Sequence, residues 1–152
     1  LTDHVIPVAI ADTNALFRLF TASTKRHEEH REALSRIGHL IVSPMVLAEL
    51  DYLLTQKINA STAATALEFI AKRTDAQRFE VPAVQPHLHT ALAVMNGYRD
   101  LDGGSGIGLA DAMNVALAAH YRTAALFTSD IRFRIVRPLD AHESFRLLPD
   151  DL

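Results

Sequence analysis

The sequence predicts a three-layer α/β fold with a mostly parallel central sheet of about five strands flanked by helices. Short apolar runs alternate along the chain with helical segments that often come in pairs. The first run, Val5 to Ala11, is apolar throughout, as expected of a strand covered on both faces. At 152 residues the chain is long enough for one domain with a real core and too short for two comfortable ones, so residues 1–152 are expected to form a single domain without internal repeats.

The elements follow in order. Val5 to Ala11 ends at the turn signal Asp12-Thr13-Asn14. Ala15 to Thr21 is helical, with Leu16, Leu19 and Phe20 on one side. Arg26 to Ile37 reads as a charged, exposed helix touching the core through Leu34 and Ile37, and His39 to Ser43 as a second strand. Ser43-Pro44 is a capping residue followed by proline at the first helical position, opening a helix to about Lys57. Ala60 to Lys72 is a further helix, capped by Asn59 or Ser61. Arg78 to Val81 predicts a third strand and His87 to Tyr98 a helix. Asp100 to Gly108 is glycine-rich and loose, and a strongly apolar helix from Leu109 to Tyr121 follows it. Ala124 to Thr128 is a buried strand, Arg132 to Arg137 a basic segment, and Phe145 to Leu148 a last short strand.

Composition narrows the classes. With 49% hydrophobic and 22% charged residues, the chain is an ordinary globular protein rather than a disordered one. No apolar run approaches the ~20 residues that span a bilayer, and no basic segment leads into an apolar one as in a signal peptide. The absence of cysteine excludes disulfides and thiolate metal sites and fits a reducing compartment, so the expectation is a cytoplasmic protein without a membrane role. A net charge of −3 argues against holding nucleic acid by phosphate neutralisation alone. That objection weakens if several acids form one cluster neutralised by bound cations.

Four acids stand where a lone carboxylate is awkward. Asp12 closes the first strand and Asp130 follows the strand Ala-Leu-Phe-Thr, although a helix cap and an Asx turn are the ordinary readings of each. Both lie just past the carboxyl end of a strand, the edge where parallel α/β sheets bind ligands. Glu49 is flanked by Val46, Leu47, Leu50 and Leu53 with no Lys or Arg one turn away to pair it; the alternative is a solvent-facing glutamate beside Asp51. Asp111 opens the most apolar helix, where the helix dipole alone would favour an acid, and Asn114 extends a polar stripe one turn on. Converging carboxylates are hard oxygen ligands suited to Mg²⁺ or Mn²⁺, ions that can activate water against a phosphodiester.

Asp12-Thr13-Asn14, Ser43-Pro44 leading to Leu47-Ala48-Glu49, Leu109-Ala110-Asp111-Ala112 and Thr128-Ser129-Asp130 resemble, in order, the successive acidic motifs of the PIN domain. The likeness covers nearly the whole chain. It implies a PIN-like fold, hydrolysis of RNA, and a metal-binding quartet of Asp12, Glu49, Asp111 and Asp130. Asp12 and Asp111 would be the firmest ligands, Glu49 would complete the site, and Asp130 is the more variable member. Thr13 and Ser129 are candidate hydrogen-bond partners of the carboxylates, with Asn14 and Asn114 as further supporting residues. A stand-alone chain of this size most resembles VapC-type toxins, which implies a homodimer held inactive by an antitoxin protein. Apolar residues of the Pro44 and Asn59 helices are the expected surface for these partners, with a cationic antitoxin side chain pushed toward the acids. Arg132 and Arg134, close to Asp130, are candidate RNA-phosphate contacts.

Other features carry less. His27-x-x-His30 has ligand spacing but charged neighbours on all sides and reads as a solvated face. Gly103 to Gly108 is followed by no Lys-Ser/Thr and is not a phosphate loop. A haloacid-dehalogenase-type phosphatase would want an acid where Asn14 stands. A PIN nuclease of RNA processing, and a PIN-like module that only binds RNA or a partner, remain as alternatives to a toxin.

Overall fold

The side chains of the first strand alternate between two cores, and this places the strand at the centre of the molecule. In the computed structural model, which describes residues 5–152, β1 (Ile6–Ala11) sends Ala9 and Ala11 to one cluster and Ile10 to the other. The first cluster gathers α1 (Thr13–Phe20), α2 (His27–Arg36), α3 (Pro44–Lys57) and α4 (Ala60–Asp75). The second gathers α5 (Leu88–Gly97) and α6 (Leu109–His120), with Phe133, Phe145 and Leu147. Between the two layers runs a five-stranded parallel sheet, completed by β2 (Ile37–Ile41), β3 (Phe79–Glu80), β4 (Ala125–Phe127) and β5 (Arg146–Leu148), in the order β3-β2-β1-β4-β5. The predicted three-layer architecture is therefore the one observed.

This strand order has one switch point. The chain winds outward from β1 through β2 to β3, then crosses to β4 and winds outward the other way to β5. The connections on either side of the β1–β4 pair therefore leave in opposite directions and open a crevice at the carboxyl ends of the strands.

Element boundaries depart from expectation where local chemistry decides. The first helix begins at Thr13 rather than Ala15, because the Asp12 carboxylate accepts the Thr13 N–H at 2.8 Å. Ile37 does not anchor a helix; it opens β2 opposite Ile6, with Ile41 opposite Ile10, a placement that suits β-branched side chains. Ser43 caps α3, and Asn59 rather than Ser61 caps α4 by accepting the Thr62 N–H at 2.7 Å. The glycine-rich segment forms a 3-10 turn, Leu101–Gly104, with Gly103, Gly104 and Gly106 all at positive φ. At Gly106 a Cβ would also press on the Tyr98 and Arg99 carbonyls at 3.4 Å.

Two further expectations are corrected. His30 does not sit on a solvated face: it is fully buried, bonds the Arg26 carbonyl through Nδ1 at 2.7 Å, and packs its ring on Phe127. Nor do α3 and α4 together expose a broad apolar surface. Tyr52 and, at the end of α3, Ile58 are exposed, but Leu67, Phe69 and Ile70 of α4 are half-buried or buried. Among the described residues, no helix is long and apolar enough to cross a membrane.

Candidate active site

The crevice between β1 and β4 collects acids from three different elements. Asp12 leaves β1, Asp130 follows β4, and Asp111 stands in the first turn of α6, and one carboxylate oxygen from each lies within 4.8 Å of the others. The ordinary readings of the two strand-end acids also hold: Asp12 caps α1, and Asp130 caps the 3-10 turn Ile131–Arg134 by accepting the Arg132 N–H at 2.9 Å. Capping fixes where each carboxylate points, so local structure and site assembly are served by the same bonds.

Asp12 is the innermost acid, 7% exposed. Its backbone N–H donates to the Phe127 carbonyl at 2.9 Å, and its Oδ2 accepts the Thr128 hydroxyl at 2.7 Å. Burial pushes its pKa up; the Thr128 and Thr13 hydrogen bonds pull it back, and the charges of Asp130 and Glu49 push it up again. Asp111 is raised to about 7, first by burial and then by the Asp12 charge, despite the opposing pull of Arg132. For Asp130 burial also acts upward, but hydrogen bonds from the Arg132 side chain and backbone outweigh it and hold the carboxyl below its usual range.

Glu49 joins this trio at one remove. It lies on the exposed side of α3, while Val46, Leu50 and Leu54 face the core, so the expected apolar setting of its carboxylate is not found. It is held instead by the Thr13 hydroxyl, which donates to Oε1 at 2.9 Å across 36 positions of sequence. Thr13 thus supports a carboxylate as expected. Ser129 does not: its hydroxyl accepts from Arg18 at 2.8 Å, while its backbone N–H donates to Asn14 Oδ1 at 3.2 Å. Asn14 therefore ties the start of α1 to the end of β4. Asn114 is buried on α6 and donates to the Ala11 carbonyl at 3.3 Å, leaving its Oδ1 without a partner among the described residues.

The two expected RNA-phosphate contacts are engaged within the chain. Arg134 makes a bidentate pair with Asp151 at 2.6 and 2.8 Å. Arg132 places Nη2 at 2.6 Å from Asp130 and 2.9 Å from Asp111, inside the acidic site. Sequence reasoning missed Thr128 as a site residue in its own right. Its hydroxyl donates to Asp12 and accepts the Asp130 N–H at 3.1 Å, so one side chain sets two acids. The available signal was a hydroxyl residue at a buried strand end, two positions before an acid.

The donors fit a hard divalent cation. They are carboxylate oxygens, two of them hard to ionise together, and a partnerless buried carbonyl oxygen lies one turn along α6 from Asp111. No cysteine exists in the chain and no histidine hydrogen-bonds these acids among the described residues, which disfavours a zinc set.

A crevice lined by converging acids at the switch point of a β3-β2-β1-β4-β5 sheet defines a class, and sequence comparison agrees: the chain belongs to the PIN-domain family, which matches residues 9–138. Ribonuclease VapC26 of Mycobacterium tuberculosis is 34% identical over 133 residues, covering 86% of this chain and 93% of that protein. The fold is shared with VapC20 of Mycobacterium tuberculosis, described as a Sarcin-Ricin loop cleaving toxin, at a TM-score of 0.67 and 18% identity over 82% of this chain and 90% of that one. It is also shared with a chain of VapBC2 from Rickettsia felis bound to a promoter DNA fragment, with a TM-score of 0.60, 16% identity, and coverage of 87% and 95%. A chain of a toxin–antitoxin complex from Klebsiella pneumoniae matches with a TM-score of 0.55, 21% identity, and coverage of 82% and 88%.

Proposed function

We propose that this protein is a metal-dependent endoribonuclease that hydrolyses RNA phosphodiester bonds, and the toxin of a toxin–antitoxin pair. The observation that carries the reading is the convergence of Asp12, Asp111 and Asp130 within 4.8 Å at the switch-point crevice, in a chain 34% identical to a VapC ribonuclease. Among the described residues no histidine or lysine hydrogen-bonds any of the four acids, so the site's side chains present carboxylates rather than an imidazole or amine base.

Asp12, Asp111 and Asp130 would hold Mg²⁺ or Mn²⁺, with Glu49 completing the site from its outer side. When bound, such an ion supplies a water activated for attack and charge stabilisation at the phosphate. Thr128 and Thr13 fix Asp12 and Glu49 before substrate arrives. Glu49, exposed and held by Thr13, would take a proton from the attacking water at its free carboxylate oxygen. Contact of Arg132 or Arg134 with an RNA phosphate requires each to exchange its present carboxylate partner.

The test is incubation of the purified protein with a varied RNA panel in Mg²⁺ or Mn²⁺, repeated in excess EDTA. Cleavage in metal that stops on chelation is expected. Cleavage that survives full chelation overturns the mechanism.

The toxin reading also needs an antitoxin and, by the family resemblance, a homodimer. A cleft of about 550 Å³ between α1, α2, α4 and β3 supports the first. Its lining combines Phe20, Phe69 and Phe79 with Arg31, Arg73 and Arg78, so it suits an acidic segment with apolar anchors. Co-expression with the product of an adjacent small open reading frame should yield a complex that Arg31→Glu with Arg73→Glu weakens. Light scattering at micromolar concentration should show a dimer, and a monomer would overturn that part.

A further inference from the structure

We propose that Arg132 is a built-in counter-cation that competes with the divalent ion for Asp111 and Asp130. The proposal rests on the reading of these acids as metal ligands and adds to it an element of regulation.

The geometry is that of an occupied site. Nε of Arg132 lies 3.1 and 3.0 Å from the two Asp130 oxygens, and Nη2 lies 2.6 Å from Asp130 and 2.9 Å from Asp111. Nη1 faces Asp102 at 3.9 Å. The guanidinium is positioned from below as well, since the Arg132 backbone N–H is itself bonded to Asp130. The two acids are more covered than the arginine that joins them, with side chains 18% exposed against 34%.

Asp12 is treated differently. Arg132 makes no hydrogen bond to it; its oxygens receive the Thr13 N–H and the Thr128 hydroxyl. One prospective ligand is thus pre-set by neutral donors, while the other two are held by a charged side chain. A guanidinium and a divalent ion cannot share these oxygens cheaply. The ion needs carboxylate contacts of about 2.0–2.1 Å in near-octahedral array, and its charge repels a cation one contact away. Loading therefore requires Arg132 to leave Asp111 at least, and the site resists metal until the ion outcompetes its own side chain.

The experiment compares Mn²⁺ binding to the metal-free parent, Arg132→Gln, Arg132→Lys and Arg134→Gln by calorimetry, alongside thermal melts in EDTA. Arg134 pairs with Asp151, so Arg134→Gln removes the same charge without touching the acids. Arg132→Gln should bind Mn²⁺ about tenfold tighter than the parent and melt lower in EDTA. Arg132→Lys, which keeps the charge but not the bidentate fork, should fall between them. Arg134→Gln should match the parent in Mn²⁺ binding. Equal or weaker Mn²⁺ binding by Arg132→Gln overturns the proposal and makes Arg132 a support for ligand geometry. Equal tightening by Arg134→Gln also overturns it, because net charge alone would then explain the effect. If no variant and not the parent binds Mn²⁺, the metal-site reading itself fails, an outcome distinct from the other two.

Discussion

Thr128 donates its hydroxyl proton to Asp12 across 2.7 Å and joins the carboxyl ends of β4 and β1 through a fully buried contact. The same oxygen accepts the Asp130 N–H, so its loss strands two groups at once. Thr128→Val keeps the shape and removes the hydroxyl. It should cost about 1.5–3 kcal/mol in urea unfolding and weaken Mn²⁺ binding. Thr128→Ser, which loses only a methyl group, should cost about 0.8 kcal/mol and keep metal affinity. A valine variant as stable as the parent would show that the bond contributes nothing.

Asp111→Asn should abolish RNA cleavage and leave the metal-free protein at least as stable as the parent. Burial and the Asp12 charge disfavour the Asp111 anion, and Asn has nearly the same shape without that charge. If Asp111 only stabilised the first turn of α6, its loss would cost about 0.3–1 kcal/mol. Melts of both proteins in EDTA and in excess Mg²⁺ distinguish the two. Mg²⁺ should raise the parent's Tm and raise the variant's much less. A variant that melts well below the parent in EDTA, with an unchanged metal response, would make Asp111 scaffolding.

The same group sets a pH dependence with a definite sign. Folded Asp111 titrates at about 7, whereas an unfolded aspartate titrates near 3.9. Between about pH 4 and pH 7 the folded protein therefore holds the extra proton, and this group's contribution to stability falls as pH rises. The stability advantage of Asp111→Asn over the parent in EDTA should accordingly be smallest near pH 4 and level off above pH 7. An advantage that shrinks with rising pH would contradict it.

His30 acts in the opposite direction. Its ring is buried with Nε2 partnerless among the described residues, and burial lowers its pKa from the ordinary value near 6.5. The unfolded chain binds a proton below that value where the fold does not, so this stability is complete above about pH 6.5 and is lost as pH falls through the folded pKa. An NMR titration should find the His30 ring taking up its proton below the ordinary histidine value. A ring that protonates at or above 6.5 would refute this.

Sequence reading located what periodicity and chain position control. Apolar runs placed the strands, and strand ends pointed to Asp12 and Asp130, because a sheet's carboxyl edge follows from its direction alone. Asp111 and Glu49 were found by their apolar neighbours, a reading that held for Asp111, only partly exposed, and misjudged Glu49, because adjacency in sequence does not reveal which side of α3 faces the core. Thr128 stayed hidden because threonine in a strand is ordinary. Arg132 and Arg134 read as free cations near an acid, yet whether a basic side chain turns toward solvent or toward Asp130 and Asp151 depends on backbone geometry that local sequence does not encode. His30 was concealed in the same way by its charged neighbours in α2.

The position of β1 between β2 and β4 bears on the order in which a growing chain acquires its properties. Asp12 is made early, but its N–H waits for the Phe127 carbonyl and its carboxylate for Thr128, and β4 in turn pairs with β5. The cleft needs no residue beyond Phe79 for its lining, with Leu19 as the earliest. On the ribosome, every residue that lines the proposed partner cleft is therefore synthesised before the acids can be assembled. An inhibitor that docked in this cleft would gain a head start over the chemistry it restrains, set simply by the direction of translation.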